Sequence, residues 1–293
     1  MSEADPFAPI DPLEAAPPAE RVNYATGVLL DAEDFRDEQT YHRGRLAAAL
    51  RHLAGFGTVA GLRVVPPAEN DVELELGVAP GVAIDRHGRL LELQTSQCIR
   101  LARWFAAETT PRLRAAIHRT PRVAVPVAVV VDVFLSVLTC ARGKTPAFAT
   151  GPFDALDAVV PSRLAEAVQL ELVARTEGGP DPIPTPANFW PAADATDDTK
   201  LQAVLGSWDG GTAGSSDGGL DPLAEHVEGH DTAALFLARV TIPVVLAEAD
   251  PSTTRPVLDL TTPVSVDNSA RPFVFLPGKW LGRAFAAAPL IQP

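Results

Sequence analysis

His42 and Glu38 stand four residues apart, the spacing at which a helical carboxylate can orient an imidazole as a general base. No nucleophile or oxyanion loop stands near them in the sequence. The expected role of His42 is therefore structural: a partly buried ring bonded to the loop that carries Asn23 and Tyr24. A second group, "HVEGH" at 226–230, places two histidines four apart with Asp231 adjacent. A zinc-protease helix carries glutamate directly after the first histidine and turns both imidazoles to one face. Here Glu228 is out of place and Gly229 weakens a helix, so His226, His230 and Asp231 are weak metal candidates and solvated loop is expected. Cys140, in "LTCARGKTP", would need a histidine partner to act as a thiolate nucleophile, and an inert place at the core edge is expected. "GSSDGG" has no branched strand before it and no helix after it, so it is not a nucleophile elbow. The glycines of "AGFGTVAGL" follow a helix and not a strand, which fails the dinucleotide fingerprint. Neither a catalytic constellation nor a cofactor is expected.

The stretch that would position His42 is the most patterned in the chain: "RVNYATGVLLDAEDFRDEQTYHRGRLAAALRHLAGFGTVAGLRVV", residues 21–65. Asp31 sits where an N-cap belongs, Asp34 completes a capping box, and Glu33, Asp37 and Glu38 add negative charge to the first turns. Arg43, Arg45 and Arg51 lie towards the other end, and Gly55 provides the stop. These signals predict a helix over 32–54. Asn23, Tyr24 and Gly27 are expected to fix the loop entering it, and Gly57 and Gly61 to bend the chain leaving it.

At 100° per residue, Phe35, Gln39, His42, Leu46, Ala49 and Leu53 share one face, a core stripe interrupted by two polar residues. The opposite face holds Glu33, Asp37, Thr40, Gly44, Ala48 and Arg51. A glycine in the middle of a solvated helix costs about 1 kcal/mol relative to alanine. Close approach of another backbone along Thr40, Gly44 and Ala48 would offset that cost. Both faces are thus expected to be covered, as in a helix clamped within an assembly.

The remaining sequence predicts a β-rich α+β protein, its N-terminal helix packed on a mainly antiparallel sheet or sandwich with a long irregular insertion. Residues 1–20 are proline-rich and read as a flexible arm. Residues 21–175 hold the helix and most of the β core: period-two alternation from Val72, a turn at "DRHGR" before "LLEL", and a helical piece broken near Pro111. "VAVPVAVVVDVFLSVLT", 123–139, is long enough to check for a membrane span, but Pro126, Asp132 and the abundance of valine favour a buried strand. Residues 176–231 are rich in Gly, Pro, Asp and Ser and read as an insertion of loops; strands return over 232–276. The tail, 277–293, sets Trp280 and Phe285 at helical spacing and is expected to dock on a neighbour.

A net charge of -13 argues against binding a phosphate backbone, so no nucleic acid is expected. Two cysteines suit a reducing compartment, and the acidic, proline-rich start has no charged-then-apolar order. The expectation is a cytoplasmic chain with no direct membrane insertion.

The run "NYATGVLLDAEDFRDEQTYHRGRL…GFGTVAGLRVV" resembles a segment of proteins encoded in phage-tail-like contractile injection system clusters. That segment has an asparagine-tyrosine loop, a helix of the form G-x-L-L-x-A-E-D-F-R-x-E-Q-x-Y-H-R and a glycine-rich exit. The likeness runs over Asn23, Tyr24, Gly27, Leu29, Leu30, Ala32 to Arg36, Glu38, Gln39 and Tyr41 to Arg43, then Gly55, Gly57, Val59, Gly61 and Leu62. "VAPGVAIDRHGRLLEL", "PSRLAEAVQLELV" and "LFLARVTI" are similar to later strands of the same family. Phe56 and Ala60 depart from the pattern, and residues 176–231 match nothing in it. The resemblance implies a structural, non-enzymatic component of such a particle, in or near the baseplate. Its partners would be other subunits (baseplate, sheath or fibre proteins), in a homo- or hetero-oligomer. The alternative is a carbohydrate- or receptor-binding β-module of a fibre or adaptor using Trp190 and Trp208. A hydrolase built on His42 or the 226–230 cluster comes third.

Overall fold

The computed structural model describes residues 11–14, 19–68, 71, 73–118, 127–146, 159–176, 183–186, 196–199, 220–246 and 254–274. Helix α1 (Ala32–Ala54) leads into β1 (Gly57–Gly61), β2 (Val64–Val65), β3 (Glu75–Val78), β4 (Gly81–Ile84), β5 (Leu90–Leu93) and β6 (Gln97–Arg100). These strands pair antiparallel in the orders β1-β4-β5 and β2-β3-β6. They are the halves of three longer strands, each bent once, at 62–63, 79–80 and 94–96. Glycine makes the bend possible. Gly61 faces Gly81 across the ladder; a Cβ on the first would lie 2.1 Å from the Pro80 oxygen, and on the second 2.4 Å from the Ala60 oxygen. Leu62, next along, has a left-handed φ of 56°, held there by a fully buried side chain.

Two short helices follow, α2 (Leu101–Ala107) and α3 (Thr110–Ala115), separated at Glu108 and Thr109. Thr109 caps α3, whose first turn accommodates Pro111, so the break falls where proline places it. After β7 (Ile117–His118) comes β8 (Ala128–Arg142), the longest strand. A small pair, β9 (Thr145–Pro146) and β10 (Val159–Val160), leads to β11 (Arg163–Ala174). Then come β12 (Leu235–Val245), β13 (Val257–Leu258) and β14 (Ser265–Asp267). β8 is central in an antiparallel sheet of order β11-β8-β12-β13, with β14 also on β12 and β7 beside the start of β8. The chain is α+β and β-rich, as its alternation predicts.

β8 is buried on both faces from Ala128 to Leu135, which accounts for its unbroken valine run. Val129, Val131, Val133 and Leu135 point into the main core, shared with Leu62, Leu76, Leu91, Leu101 and Leu113. On the other face, Phe134 packs with Val173, Ala234 and Phe236. Among the described residues no helix is long and apolar enough to cross a membrane. Past Leu135, β12 no longer covers β8, and β8 and β11 continue as a two-stranded ribbon, Ser136–Arg142 against Arg163–Gln169.

Residues 268–274 stitch the two sheets together. The Asn268 amide accepts from Val64 N–H and donates to Val64 O, both at 3.0 Å. The buried Arg271 donates through Nε to Leu237 O at 2.8 Å and through Nη1 to Gly61 O at 3.1 Å. Burial, with Arg63 nearby, lowers its pKa to about 10. Pro272 O accepts from Thr58 N–H, and Thr58 O accepts from Val274 N–H.

Two expected boundaries need correction. The arm over 1–20 is not free along its length: Asp11 and Leu13 are buried. The insertion over 176–231 packs at its end, where Glu225 and His226 are buried. Both departures have one cause. Each segment carries a group that a buried core arginine recognises, and sequence composition does not register such a partner. The tail over 277–293, with Trp280 and Phe285, lies outside the described residues, as do Trp190 and Trp208.

Candidate functional site: helix α1 and its entry loop

The local geometry of α1 follows its sequence. The Asp31 carboxylate accepts from Glu33 N–H at 2.8 Å and Asp34 N–H at 3.1 Å, while Asp34 Oδ2 accepts from Asp31 N–H at 2.9 Å. Gly55 closes the helix at φ 72°, its N–H donating to Arg51 O. Its packing does not follow the expectation. Of 23 residues only Ala47 is buried. The expected core stripe faces outward: Phe35 is 54% exposed, Leu46 62% and Leu53 72%. Gln39, His42 and Ala49 on the same face are exposed as well.

The opposite face lies against the chain's own hairpin. Thr40, Gly44 and Ala48 are half-buried around Ala47. A Cβ added to Gly88, in the turn between β4 and β5, would lie 2.0 Å from the Ala47 oxygen. A close backbone approach is thus made within this chain beside the small-residue ladder, at Gly88 and Ala47. The physical reason is size. Alanine at 47 and glycine at 88 let the helix backbone settle onto the turn, whereas larger side chains there would hold it away.

A chain of charges secures this contact. Arg89 donates through Nε to Asp85 Oδ2 at 2.6 Å and through Nη1 to Asp11 Oδ2 at 3.2 Å. Arg43 of α1 reaches Asp11 Oδ1 at 3.2 Å and Glu166 of β11 at 3.3 Å. Burial raises the Asp85 carboxyl above its ordinary range, against the pull of Arg89. Burial also opposes the Arg89 charge, but Asp85 and Asp11 outweigh it and raise its pKa. In the same turn, burial and then Arg89 push His87 down to about 4.

The 226–230 cluster folds onto the far side of the sheet instead of lying in solvent. His226 Nδ1 accepts from Leu223 N–H at 2.9 Å and Nε2 donates to Ala234 O at 3.0 Å, so both ring nitrogens are occupied by backbone. Its ring stacks on Phe134 at 5.9 Å, and the His230 ring lies 4.4 Å from the same phenylalanine. His230 Nε2 faces Glu171 at 3.6 Å, while Asp231 Oδ1 accepts from Ala233 N–H at 2.8 Å. Among the described residues no three His, Cys, Asp or Glu side chains are grouped to hold a metal. The cluster fastens a loop.

Beneath that loop lies an ionic network that the sequence reading missed. Asp132 and Arg175 are both 0% exposed and meet at 2.9 Å. Arg239 grips the same carboxylate with Nε at 2.7 Å and Nη2 at 2.8 Å. Arg175 also donates to Glu225 O at 2.5 Å, and Arg86 donates to Asp221 O at 2.6 Å and Thr232 O at 2.7 Å. Burial raises the Asp132 and Glu225 carboxyls against the arginines around them. One signal was available: an aspartate inside "VVVDVFL" has to find a cation once the strand is buried.

His226 gives this side of the molecule a pH dependence. Burial lowers its pKa from 6.5 to about 4, so the folded chain favours the neutral ring. The associated stability is fully present above about pH 6.5 and is lost as pH falls towards 4, up to about 3 kcal/mol. Urea unfolding of His226→Gln between these pH values should show a shallower loss than the unaltered chain; equal slopes would contradict the assignment.

Most of the other expected site residues are exposed, Gly57 and Cys140 excepted. Asn23, Tyr24 and Gly27 lie in a solvent-facing loop and do not bind His42. Val28 N–H donates to Ala25 O within that loop, and Leu29 is 95% exposed. The expected partly buried His42 is instead an exposed side chain that meets Glu38 Oε1 at 2.8 Å and the Tyr41 ring edge-on at 5.3 Å. Gly57, at φ 135°, passes so close to the 272–273 backbone that a Cβ would lie 2.8 Å from the Phe273 carbonyl carbon. Cys98 is exposed and Cys140 half-buried. What the structure leaves exposed on α1 and its entry loop is a set of large apolar side chains: Tyr24, Val28, Leu29, Phe35, Leu46 and Leu53. No family model and no curated protein sequence matches the chain.

Proposed function

We propose that this chain is a structural, non-catalytic subunit of a phage-tail-like contractile injection particle, at or near the baseplate. It would be made in the cytoplasm and built into the particle through α1. The observation that carries this reading is a 23-residue helix with a single buried residue and an apolar stripe in the open. A helix draws most of its stability from packing an amphipathic face, and a contiguous apolar patch on a surface marks an interaction site. Tyr24, Leu29 and Phe35 belong both to those exposed apolar residues and to the run that resembles the injection-system proteins. The rest of the fold serves as a rigid mount, with the bent meander and the central sheet holding the turn on which α1 rests.

The double change Leu46→Asp and Leu53→Asp tests this. Both side chains are exposed in the lone chain, so unfolding free energy should stay within about 0.5 kcal/mol. Co-purification with the other particle subunits should be lost. Incorporation at the normal level would overturn the proposal.

A further inference from the structure

We propose that the 221–234 loop is an acid-released flap over the Phe134 face of the central sheet, latched by the imidazole of His226; this stands apart from the assembly reading. The loop is built to move as a unit. Its turns close on themselves, His226 N–H donating to Leu223 O, His230 N–H to Val227 O and Ala234 N–H to Asp231 O. Side chains tie it to the body. Arg86 holds Asp221 O and Thr232 O, Arg175 holds Glu225 O, and the His226 and His230 rings rest on Phe134. The ladders joining β8 to β11 and β12 are made without it. Lifting the loop therefore uncovers Phe134, now 1% exposed, and leaves the sheet intact.

One of these ties can be cut by a proton. The arginine ties end on main-chain oxygens, which do not titrate. His226 Nδ1 accepts from Leu223 N–H at 2.9 Å while Nε2 donates to Ala234 O at 3.0 Å, so the shut loop requires the neutral ring with its hydrogen on Nε2. A second proton, on Nδ1, would set two donors against each other and break the Leu223 bond. Burial opposes that proton most, the bond to Ala234 O favours it, Arg86 and His230 oppose it, and Asp231 favours it. Released into water, the ring regains its ordinary value of 6.5. A fall in pH from there towards 4 thus favours the open loop, by up to about tenfold per pH unit.

The neighbouring charges leave this latch in command. Glu225 works the other way: burial raises its carboxyl, against Arg86 and Arg175, so its protonation favours the shut loop. Yet Arg175 grips the main-chain oxygen of Glu225, and no proton on that carboxyl restores an acceptor to Leu223. Glu171 of β11 faces His230 at 3.6 Å, and His87 of the β4–β5 turn feels both Arg86 and Asp231. Asp132 of β8 lies in the strand and keeps Arg239 whether the loop is shut or open.

Hydrogen exchange of the full chain, read by mass spectrometry and corrected for the intrinsic pH dependence, compares residues 221–227 with 129–135 at pH 6.5 and 4.5. Protection over 221–227 should fall at least tenfold, while 129–135 stays protected. His226→Gln, whose amide can accept from Leu223 N–H and donate to Ala234 O without titrating, should show little change between the two pH values. Glu225→Gln removes the opposing carboxyl and should enlarge the fall. Unchanged protection over 221–227 in the unaltered chain would overturn the proposal. So would an equal fall in His226→Gln, or a fall shared by 129–135, which would be unfolding of the whole chain.

Discussion

Asp132→Ala should lower the unfolding free energy by about 3–5 kcal/mol, because it removes a buried carboxylate that two core arginines share. Asp132 and Arg175 are wholly buried, and Arg239 is largely so. A buried pair adds little relative to an apolar pair of the same shape, but deleting one partner strands the other charge in a medium that cannot solvate it. Arg175 would keep its bond to Glu225 O and Arg239 its bonds to Ile183 O and Pro184 O, but a neutral carbonyl does not replace the charge of the lost carboxylate. The 220–234 loop should loosen as well, since Arg175 anchors it. Urea unfolding checks the loss. Arg239→Gln, which leaves the Asp132–Arg175 pair intact, should cost less and keeps the comparison readable if Asp132→Ala fails to fold. Equal, small losses for both would contradict a shared carboxylate.

Gly88→Ala should cost about 2–4 kcal/mol and release α1 from the body. Two penalties combine. The residue has a φ of 86°, and its new Cβ would sit 2.0 Å from the Ala47 oxygen, a backbone atom that cannot swing aside. Gly27→Ala provides the control, with a φ of 88° and nothing within 4 Å of the added carbon. It bears the backbone strain alone and should cost about 1–2 kcal/mol. The difference between the two, read by urea unfolding, isolates the contact that seats the helix. Indistinguishable losses would mean that α1 does not rest on the turn.

Much of the local structure was legible. The bounds of α1 follow from Asp31, Asp34 and Gly55, which act within a few residues of one another. The valine run could be assigned to a strand because Asp132 and Pro126 spoil it as a span. The orientation of α1 was not legible. An apolar stripe is ordinarily the inward face, and that rule takes for granted that the chain completes its own core. Here the stripe faces outward, and small residues form the inner face because the contact is with a backbone turn. The buried charges were illegible for a different reason: Asp132 meets Arg175 43 positions away and Arg239 107 positions away. No local pattern encodes such a pairing. The same holds for Asp11, whose partner Arg89 is 78 positions distant and turns part of an expected arm into a strut.

The central claim is that the outward face of α1 is a joint. Amide hydrogen exchange over residues 35–53 compares the isolated chain at low concentration with the same chain inside its purified native complex. Slower exchange over that helix in the complex, with the strands of the core unchanged, is the predicted result. Equal exchange in the two states would contradict it.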